Sequence, residues 1–295
     1  MVAVSISVLI VLVSIVSLST RGLNFGIDFT GGVLLEVGYP EAADIANIRQ
    51  ILGDAGFANM QVNTFGPATD VQIRLPPQPG EDADAVRNSM HSILAADNPA
   101  VDLRGVAIVS SQVGEELTEQ GGLAMIFALL MIFAYVMFRF QWKFAAGAVA
   151  ALAHDVIVTV GFFSVFGVTF DLTVVAAVLA VIGYSLNDTV VAFDRIRENF
   201  ISLRGTTAEE AMNISINEML ARTIITGVTT LIVLVALLVL GGETVRPFSI
   251  ALIVGIVVGT YSSIWTASAT ALMLDVSAQD LMPPETDPEL IDDLP

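Results

Sequence analysis

The sequence contains no cysteine, which excludes disulfide bonds and thiolate metal sites. Lysine is nearly missing as well, because Lys143 is the single lysine beside eleven arginines. Charged residues make up 14% of the chain, against about 25% in an ordinary soluble domain, and this favours a membrane protein. The formal net charge of −18 argues against nucleic acid as a partner. Such an acidic balance is typical of halophiles, so we expect a halophilic prokaryote as the source.

Long apolar runs account for most of the chain. A helix needs about 20 apolar residues to cross the hydrocarbon layer. Six stretches meet this length: 2–19, 122–140, 144–166, 172–193, 219–240 and 248–274. The first has no basic leader and no small-residue cleavage site, so we interpret it as a retained anchor. In the last, Gly255 and Gly259 form a small-residue face suited to close helix packing.

The basic residues predict the orientation of these spans. They concentrate in the loops after the second and fourth spans, at Arg139, Lys143, Arg195, Arg197 and Arg204. Loops rich in arginine and lysine remain in the cytoplasm. We therefore expect a multi-pass protein of the cell membrane with both termini cytoplasmic. The predicted division is a first transmembrane helix at 1–20, an extracytoplasmic domain at 21–118, a five-helix transmembrane region at 119–275 with a cytoplasmic loop helix near 205–218, and an acidic, disordered tail at 276–295.

The extracytoplasmic segment has the pattern of an α+β domain. Its predicted strands are 33–39, 58–65, 69–75 and 102–110, with one helix at 41–56 and a second that opens with Glu81, Asp82 and Asp84. The order βαββαβ is the ferredoxin-like arrangement. The predicted fold is thus a membrane α-helical bundle of six spans with one extracytoplasmic ferredoxin-like domain. That domain type hosts many functions and decides none of them.

Three charged residues lie well inside the predicted spans: Asp155, Asp188 and Arg222. A charge in hydrocarbon costs several kcal/mol, so such residues are candidates for an ion pathway. Asp155 lies about 16 Å into its span, close to the middle of the bilayer. Simpler interpretations remain for each residue. Arg222 can extend to the interface, and either aspartate can serve as a hydrogen-bond partner between helices, while the neighbouring His154 receives no role.

Enzymatic signatures are missing from the sequence. It contains neither the zinc-binding H-E-x-x-H motif nor the G-x-S-x-G nucleophile elbow. An aspartic-protease dyad of Asp155 and Asp188 would need the carboxylates about 3 Å apart. A nearby arginine would oppose the proton that such a dyad shares. We therefore expect a protein that is not an enzyme, with no cofactor apart from H⁺ or Na⁺ as coupling ion.

Four segments in fixed order resemble one family. They are GIDFTGG at 26–32, AHDVIVTVGFF at 153–163, VIGYSLNDTVVAFDRIREN at 181–199 and LARTIITGVTTLIVLVAL at 220–237. Together they resemble the SecD/SecF protein-export subunits, over residues 21 to 270. The single small external domain fits the SecF side of that family better than the SecD side.

The resemblance implies a function. The family is related to resistance-nodulation-division transporters, pairs SecF with SecD, and uses an H⁺ or Na⁺ gradient to assist the Sec translocation channel in moving unfolded secretory polypeptides. By resemblance, Asp188 and Arg222 line the ion path and Asp155 supports it. The structural motif consists of Gly26, Asp28, Gly31 and Gly32. Two alternatives stay open: a stand-alone exporter of small molecules or lipids, and a scaffold that only steadies the Sec channel.

Overall fold

The computed structural model describes residues 2–77, 82–140, 142–203 and 205–276. Three sequence predictions fall outside these ranges. They concern Glu81 at the start of the second helix of the external domain, Arg204 in the basic loop, and the acidic tail after Val276.

Six apolar helices form the membrane bundle, as the sequence predicts. They are α1 (Val2–Thr20), α5 (Ser111–Arg139), α6 (Trp142–Phe166), α7 (Leu172–Ser202), α8 (Ala208–Leu240) and α9 (Arg246–Met273). The last five are long and apolar enough to cross a membrane, and the first is a shorter apolar helix. The chain is therefore a multi-pass membrane protein.

Two helices are longer than their predicted spans. The polar segment 111–120 continues into the second span as one helix, α5, and the predicted loop helix near 205–218 is the first part of α8. Both helices begin at a side-chain cap, because Ser110 accepts a hydrogen bond from the Val113 amide and Thr207 accepts one from the Glu210 amide. No proline interrupts either stretch, so the hydrogen-bonded ladder continues into the membrane.

The domain outside the helix bundle, which we call the external domain, is a four-stranded antiparallel sheet with two helices on one face. Its strands are β2 (Gly32–Gly38), β3 (Gln61–Thr64), β4 (Asp70–Leu75) and β5 (Asp102–Val109), and its helices are α3 (Ile45–Asp54) and α4 (Ala83–Asp97). The spatial order β3–β4–β2–β5 confirms the ferredoxin-like prediction. Helix α3 begins later than predicted because Asp44 caps it, accepting bonds from the amides of Ala46 and Asn47.

Three short elements were not predicted. Strand β1 (Asn24–Phe25) and helix α2 (Ile27–Thr30) precede the sheet, and strand β6 (Thr169–Phe170) lies in the loop between α6 and α7. Strands β1 and β6 pair in parallel and join the external domain to the membrane bundle. Elements of two to four residues are too short to carry a periodic pattern of apolar residues.

Helix α9 packs against α1, α6, α7 and α8, which makes it the centre of the bundle. Gly255 allows close contact with α7, because a Cβ atom at this position would overlap the side chain of Val181. Gly259 lies against Ser185 of the same helix. Helices α5 and α8 keep most of their apolar side chains exposed, as expected for surfaces that face lipid or another subunit.

Candidate functional site

A hydrogen-bonded group around Asp155 lies in the middle of the bundle. The Asp155 carboxylate is fully buried, and one of its oxygens accepts bonds from the Ser185 hydroxyl of α7 at 2.5 Å and the Ser262 hydroxyl of α9 at 2.8 Å. The other oxygen lies 3.0 Å from Nδ1 of His154. We call these four residues the Asp155 network. It joins α6, α7 and α9 through one carboxylate.

Local sequence explains why the network can form. Gly259 precedes Ser262 by about one turn of α9, and a Cβ atom there would lie 3.1 Å from Ser185 Cβ and 3.5 Å from Asp155 Oδ2. The missing side chain lets α9 approach the other two helices closely enough for hydroxyl contacts. A buried carboxylate needs such donors, because a charge or polar group without partners is expensive in a low-dielectric interior.

Asp188 lies on α7 three residues after Ser185 and is also buried, with 8% of its surface exposed. Its surroundings differ, because its Oδ2 atom has no hydrogen-bond partner among the described residues. Arg222, the other residue expected on the ion path, is near enough for its charge to act on the Asp188 carboxylate. Within the described part of the chain, however, no ion pair or hydrogen bond joins the two side chains.

Arg222 is exposed on the first part of α8. Sequence reasoning placed it inside a membrane span and, by resemblance, on the ion path with Asp188. The structure brings the two residues to adjoining helices that pack together. Asp155 and Asp188 also form no protease-like dyad, since the Asp155 oxygens are taken up by Ser185, Ser262 and His154.

The surface beside Asp188 and Arg222 has a distinctive composition. Between positions 176 and 187 of α7 the exposed residues recur every three or four positions and are small or polar. On α8, Arg222 and two threonines are exposed among apolar side chains. We call this surface the partner face. Its members are Ala176, Ala180, Gly183 and Asn187 of α7, and Arg222, Thr226 and Thr229 of α8. Small residues permit close approach of another helix inside a membrane.

The predicted Gly-rich motif occupies the junction between the external domain and the membrane helices. Gly26 donates its amide to the Phe170 carbonyl at 2.8 Å, and a Cβ atom on it would lie 3.0 Å from the Asp171 Cβ. Asp28 Oδ2 accepts a bond from the Leu172 amide at 3.0 Å, at the first residue of α7. The motif therefore connects the external domain to the start of α7 by hydrogen bonds.

The two adjacent glycines end this motif at the start of the sheet. Gly31 terminates α2 and lies directly against Ser111, the first residue of α5. Gly32 has φ of +117°, which residues with a side chain rarely adopt. A Cβ atom on Gly32 would also overlap the Leu75 carbonyl oxygen.

Sequence reasoning missed several residues of these sites. It assigned no role in the site to His154 or Ser262, yet both contact Asp155. The serines on neighbouring spans could have indicated this site, because a buried carboxylate requires hydrogen-bond donors from the helices around it. The imidazole of His154 turns toward the carboxylate of the adjacent Asp155.

Fold and site together define a multi-pass transport protein with an α+β domain outside the helix bundle. Comparison with known families gives two matches. Residues 89–277 match the family described as Protein export membrane protein SecD/SecF, C-terminal, and residues 16–39 match the SecD/SecF GG Motif. The chain belongs to the SecD/SecF family of protein-export membrane proteins.

Full-length relatives narrow the type within the family. The chain is 48% identical to protein translocase subunit SecF of Pseudomonas aeruginosa, covering 100% of this chain and 95% of that protein. It is 47% identical to the subunit of the same name in Vibrio alginolyticus, with 98% and 92% covered. Within the family the chain is of the SecF type. It is a subunit for protein transport and not an enzyme.

Two solved structures of SecDF match the fold. SecDF from Thermus thermophilus, described as a translocon-associated membrane protein, matches with a TM-score of 0.84 at 34% identity over 92% of this chain. A super-membrane-facing form of SecDF matches at the same identity and coverage with a TM-score of 0.68. The chain spans 37% of the length of each solved protein.

Proposed function

We propose that this chain is one half of a gradient-driven export motor whose other half is SecD. In this proposal the motor uses an H⁺ or Na⁺ gradient to act on unfolded polypeptides that emerge from the Sec channel. Asp188 and Arg222 line the ion path, and Asp155 supports it from within the bundle. The observation that carries the proposal is the buried Asp188 carboxylate with an unpartnered oxygen, beside an Arg222 that forms no ion pair with the acids of the described residues.

The partner face combines an exposed arginine with small residues, and this combination favours a second subunit. An arginine on a lipid-facing surface costs about 2.5–3.5 kcal/mol at the centre of a helix span. Its side chain can reach the interface to reduce this cost, but the small residues on the adjoining helix favour a second subunit instead. Ala180 and Gly183 offer a shallow surface for a helix of SecD. The solved SecDF proteins support this, since this chain matches only part of each of them.

The proposed orientation has the external domain outside the cell and both termini inside. At the end of the bundle opposite the sheet, Arg139 pairs with Asp194 at 2.8 Å and Arg195 pairs with Glu218 at 2.7 Å. Of the described basic residues at the helix ends, fewer lie on the side of the sheet, namely Arg21 and Arg246. Positive charge favours the cytoplasmic side. In this orientation the ion enters from the side of the external domain and leaves at the basic end.

The energy available from the gradient suffices for a conformational switch. One elementary charge that crosses about 180 mV releases roughly 4 kcal/mol, because each 100 mV is worth about 2.3 kcal/mol. This can shift a two-state equilibrium by almost three decades. Binding of the ion at Asp188 removes its attraction for Arg222. Because Ser185 lies one turn away on α7, a movement of α7 also acts on the Asp155 network.

The decisive experiment uses Asp188→Asn in vesicles that contain the Sec channel, SecD and this chain. We expect export to lose its dependence on an imposed H⁺ or Na⁺ gradient while co-purification with SecD persists. Asp194→Asn is the matched control, because it removes a carboxylate of the same helix from a surface ion pair. Gradient-dependent export at the wild-type rate in Asp188→Asn would refute the motor.

The same vesicles discriminate the alternatives. A scaffold predicts that neither Asp188→Asn nor Arg222→Gln changes export as long as the complex stays intact. A stand-alone exporter predicts gradient-driven release of small molecules or lipids from vesicles that lack the Sec channel. Separate H⁺ and Na⁺ gradients identify the coupling ion.

A further inference from the structure

The segment 24–32, which we call the GG segment, is hydrogen-bonded directly to α7, the helix that carries Asp188. Its strand β1 pairs with β6, the two residues that lead into α7. At the first turn of α7, Asp28 accepts the Leu172 amide, and Asp171 accepts the Val174 amide at 3.0 Å. Two carboxylates thus cap the N-terminus of α7, where the helix dipole is positive, and the external domain supplies one of them.

Helix α7 connects this junction to the ion site. Asp188 lies 16 positions after Leu172, which corresponds to about 24 Å along a straight helix. The helix runs without interruption from Leu172 to Ser202, and most of its inner face is buried against α6, α8 and α9. A shift of α7 at Asp188 therefore reaches its first turn as a rigid displacement.

The other end of the GG segment enters the sheet. Gly32 is the first residue of β2, which pairs with both β4 and β5. Immediately before it, Gly31 lies against Ser111, and a Cβ atom on Gly114 would lie 2.8 Å from the Phe29 carbonyl oxygen. Such close backbone contacts leave the segment little freedom to absorb a displacement.

Arg74 of the sheet forms hydrogen bonds to both strands of the β1–β6 pair. From β4 it donates to the Phe25 carbonyl at 3.2 Å and to the Thr169 hydroxyl at 3.5 Å. Burial lowers the pKa of Arg74, while the nearby charges of Asp171 and Asp28 act in the opposite direction. The guanidinium of Arg74, carried by the strand next to β2, thus lies near both carboxylates at the start of α7.

We propose that the GG segment is the transmission element of the motor, with Asp28 as the positioning residue that makes the external domain follow α7. The inference rests on the proposed function and extends it from the ion site to the client side. The external domain then moves with α7 and slides against the loop between α8 and α9. The two sides are in contact there, since a Cβ atom on Gly66 would lie 3.2 Å from Glu243 Cγ.

The first test separates ion movement from export. Vesicles with the Sec channel, SecD and this chain carry a dye for H⁺ or Na⁺, and export of a precursor is measured in parallel. Asp28→Ala removes one hydrogen bond to a charged group. It should therefore lower the amount of export per transported ion about tenfold or more. Asp28→Asn keeps an acceptor oxygen and should recover part of the loss. Asp54→Ala, an exposed acid on α3, is the matched control.

Each result of this test is informative. Loss of export with ion flux intact in Asp28→Ala supports transmission. Equal loss of flux and export assigns Asp28 to the ion site or to folding and overturns the inference, as does export at the wild-type level. If the wild-type vesicles show no ion flux at all, the proposed function fails first, and the two failures remain distinguishable.

The second test exploits the absence of cysteine in the chain. Asn24→Cys with Thr169→Cys places a disulfide across the β1–β6 pair, and Thr64→Cys with Thr244→Cys allows a short bis-maleimide to bridge the 510 Å³ cavity beneath the sheet. The bridged 24–169 variant should export like its own reduced form, while the bridged 64–244 variant should stop. Arrest by the first bridge, or free export with the second, overturns the inference.

Discussion

The two buried aspartates of the bundle have opposite surroundings. Asp155 is saturated by partners from its own chain, with two serine hydroxyls and an imidazole around one carboxylate. Asp188, one helical turn beyond Ser185, has an unpartnered oxygen and lies near an exposed arginine. A saturated site gives structure, whereas an incomplete site inside a membrane requires something further, either an ion or another subunit. The Asp155 network is therefore complete within this chain, whereas the site at Asp188 is expected to be completed by an ion or by another subunit.

The largest expected effect concerns stability. Asp155→Ala leaves His154 Nδ1 and the Ser185 hydroxyl buried without their acceptor and leaves Ser262 only its longer bond to the Gly259 carbonyl. We therefore expect a loss of about 3–5 kcal/mol in the free energy of unfolding. Asp188→Ala removes a carboxylate that has no hydrogen bond to its Oδ2 atom and should cost less than about 1 kcal/mol. Unfolding of the purified chain in detergent measures both. Equal losses would remove the distinction between the two sites.

A smaller effect is expected at the serines of the network. Ser185→Ala and Ser262→Ala each remove one hydrogen bond to a charged group, for about 1.5–3 kcal/mol. Because both hydroxyls bond the same oxygen, their effects should not be additive. A double-mutant cycle through Asp155→Asn measures the coupling, and independent serine effects would argue against a shared acceptor.

Two glycines compare a packed helix surface with an exposed one: Gly255 of α9 lies against α7, and Gly183 of α7 lies on the partner face. Gly255→Ala forces a Cβ atom into Val181 and should destabilise the chain by about 1–3 kcal/mol. At Gly183 on the partner face, a Cβ atom would meet no atom within 4 Å, so Gly183→Leu should leave the chain's own stability unchanged. We expect Gly183→Leu to weaken co-purification with SecD instead. A variant that still binds SecD fully would place the interface elsewhere.

The smallest effect should come from the basic end of the bundle. Arg139 and Asp194 form an ion pair at 2.8 Å, and both side chains are about 40% exposed. Exposed pairs of this kind contribute about 0–1 kcal/mol. Arg139→Gln should therefore change the unfolding free energy by less than this amount. A loss comparable to that of Asp155→Ala would mean that this exposed ion pair and the buried Asp155 network do not differ as described.

Much of the architecture could be predicted from the sequence, because long apolar runs and alternating strands leave strong periodic signals. The six helices and the order of the ferredoxin-like elements are examples. Boundaries were less accurate where one helix passes from polar to apolar surroundings, as in α5 and α8. Periodicity predicts a helix but not where a bilayer begins along it.

The site was predicted only in part. Asp155, Asp188 and Arg222 are conspicuous because charge is rare in membrane spans. Which side chain faces which is a matter of helix rotation and packing between residues far apart in sequence. Ser262 contacts Asp155 across 107 positions, and Leu172 contacts Asp28 across 144. No local pattern encodes such pairs, so both the Asp155 network and the attachment of the GG segment to α7 required the folded structure.

The most direct test of a shared ion site is to measure whether SecD covers the partner face. A nitroxide on Ile225→Cys, three positions after Arg222, reports its accessibility to oxygen in the bilayer, and one on Leu9→Cys of α1 is the control; both residues are 62% exposed. We predict that addition of SecD shields the label at 225 and leaves the label at 9 in contact with lipid. Unchanged accessibility at 225 in a complex that contains SecD would contradict the account.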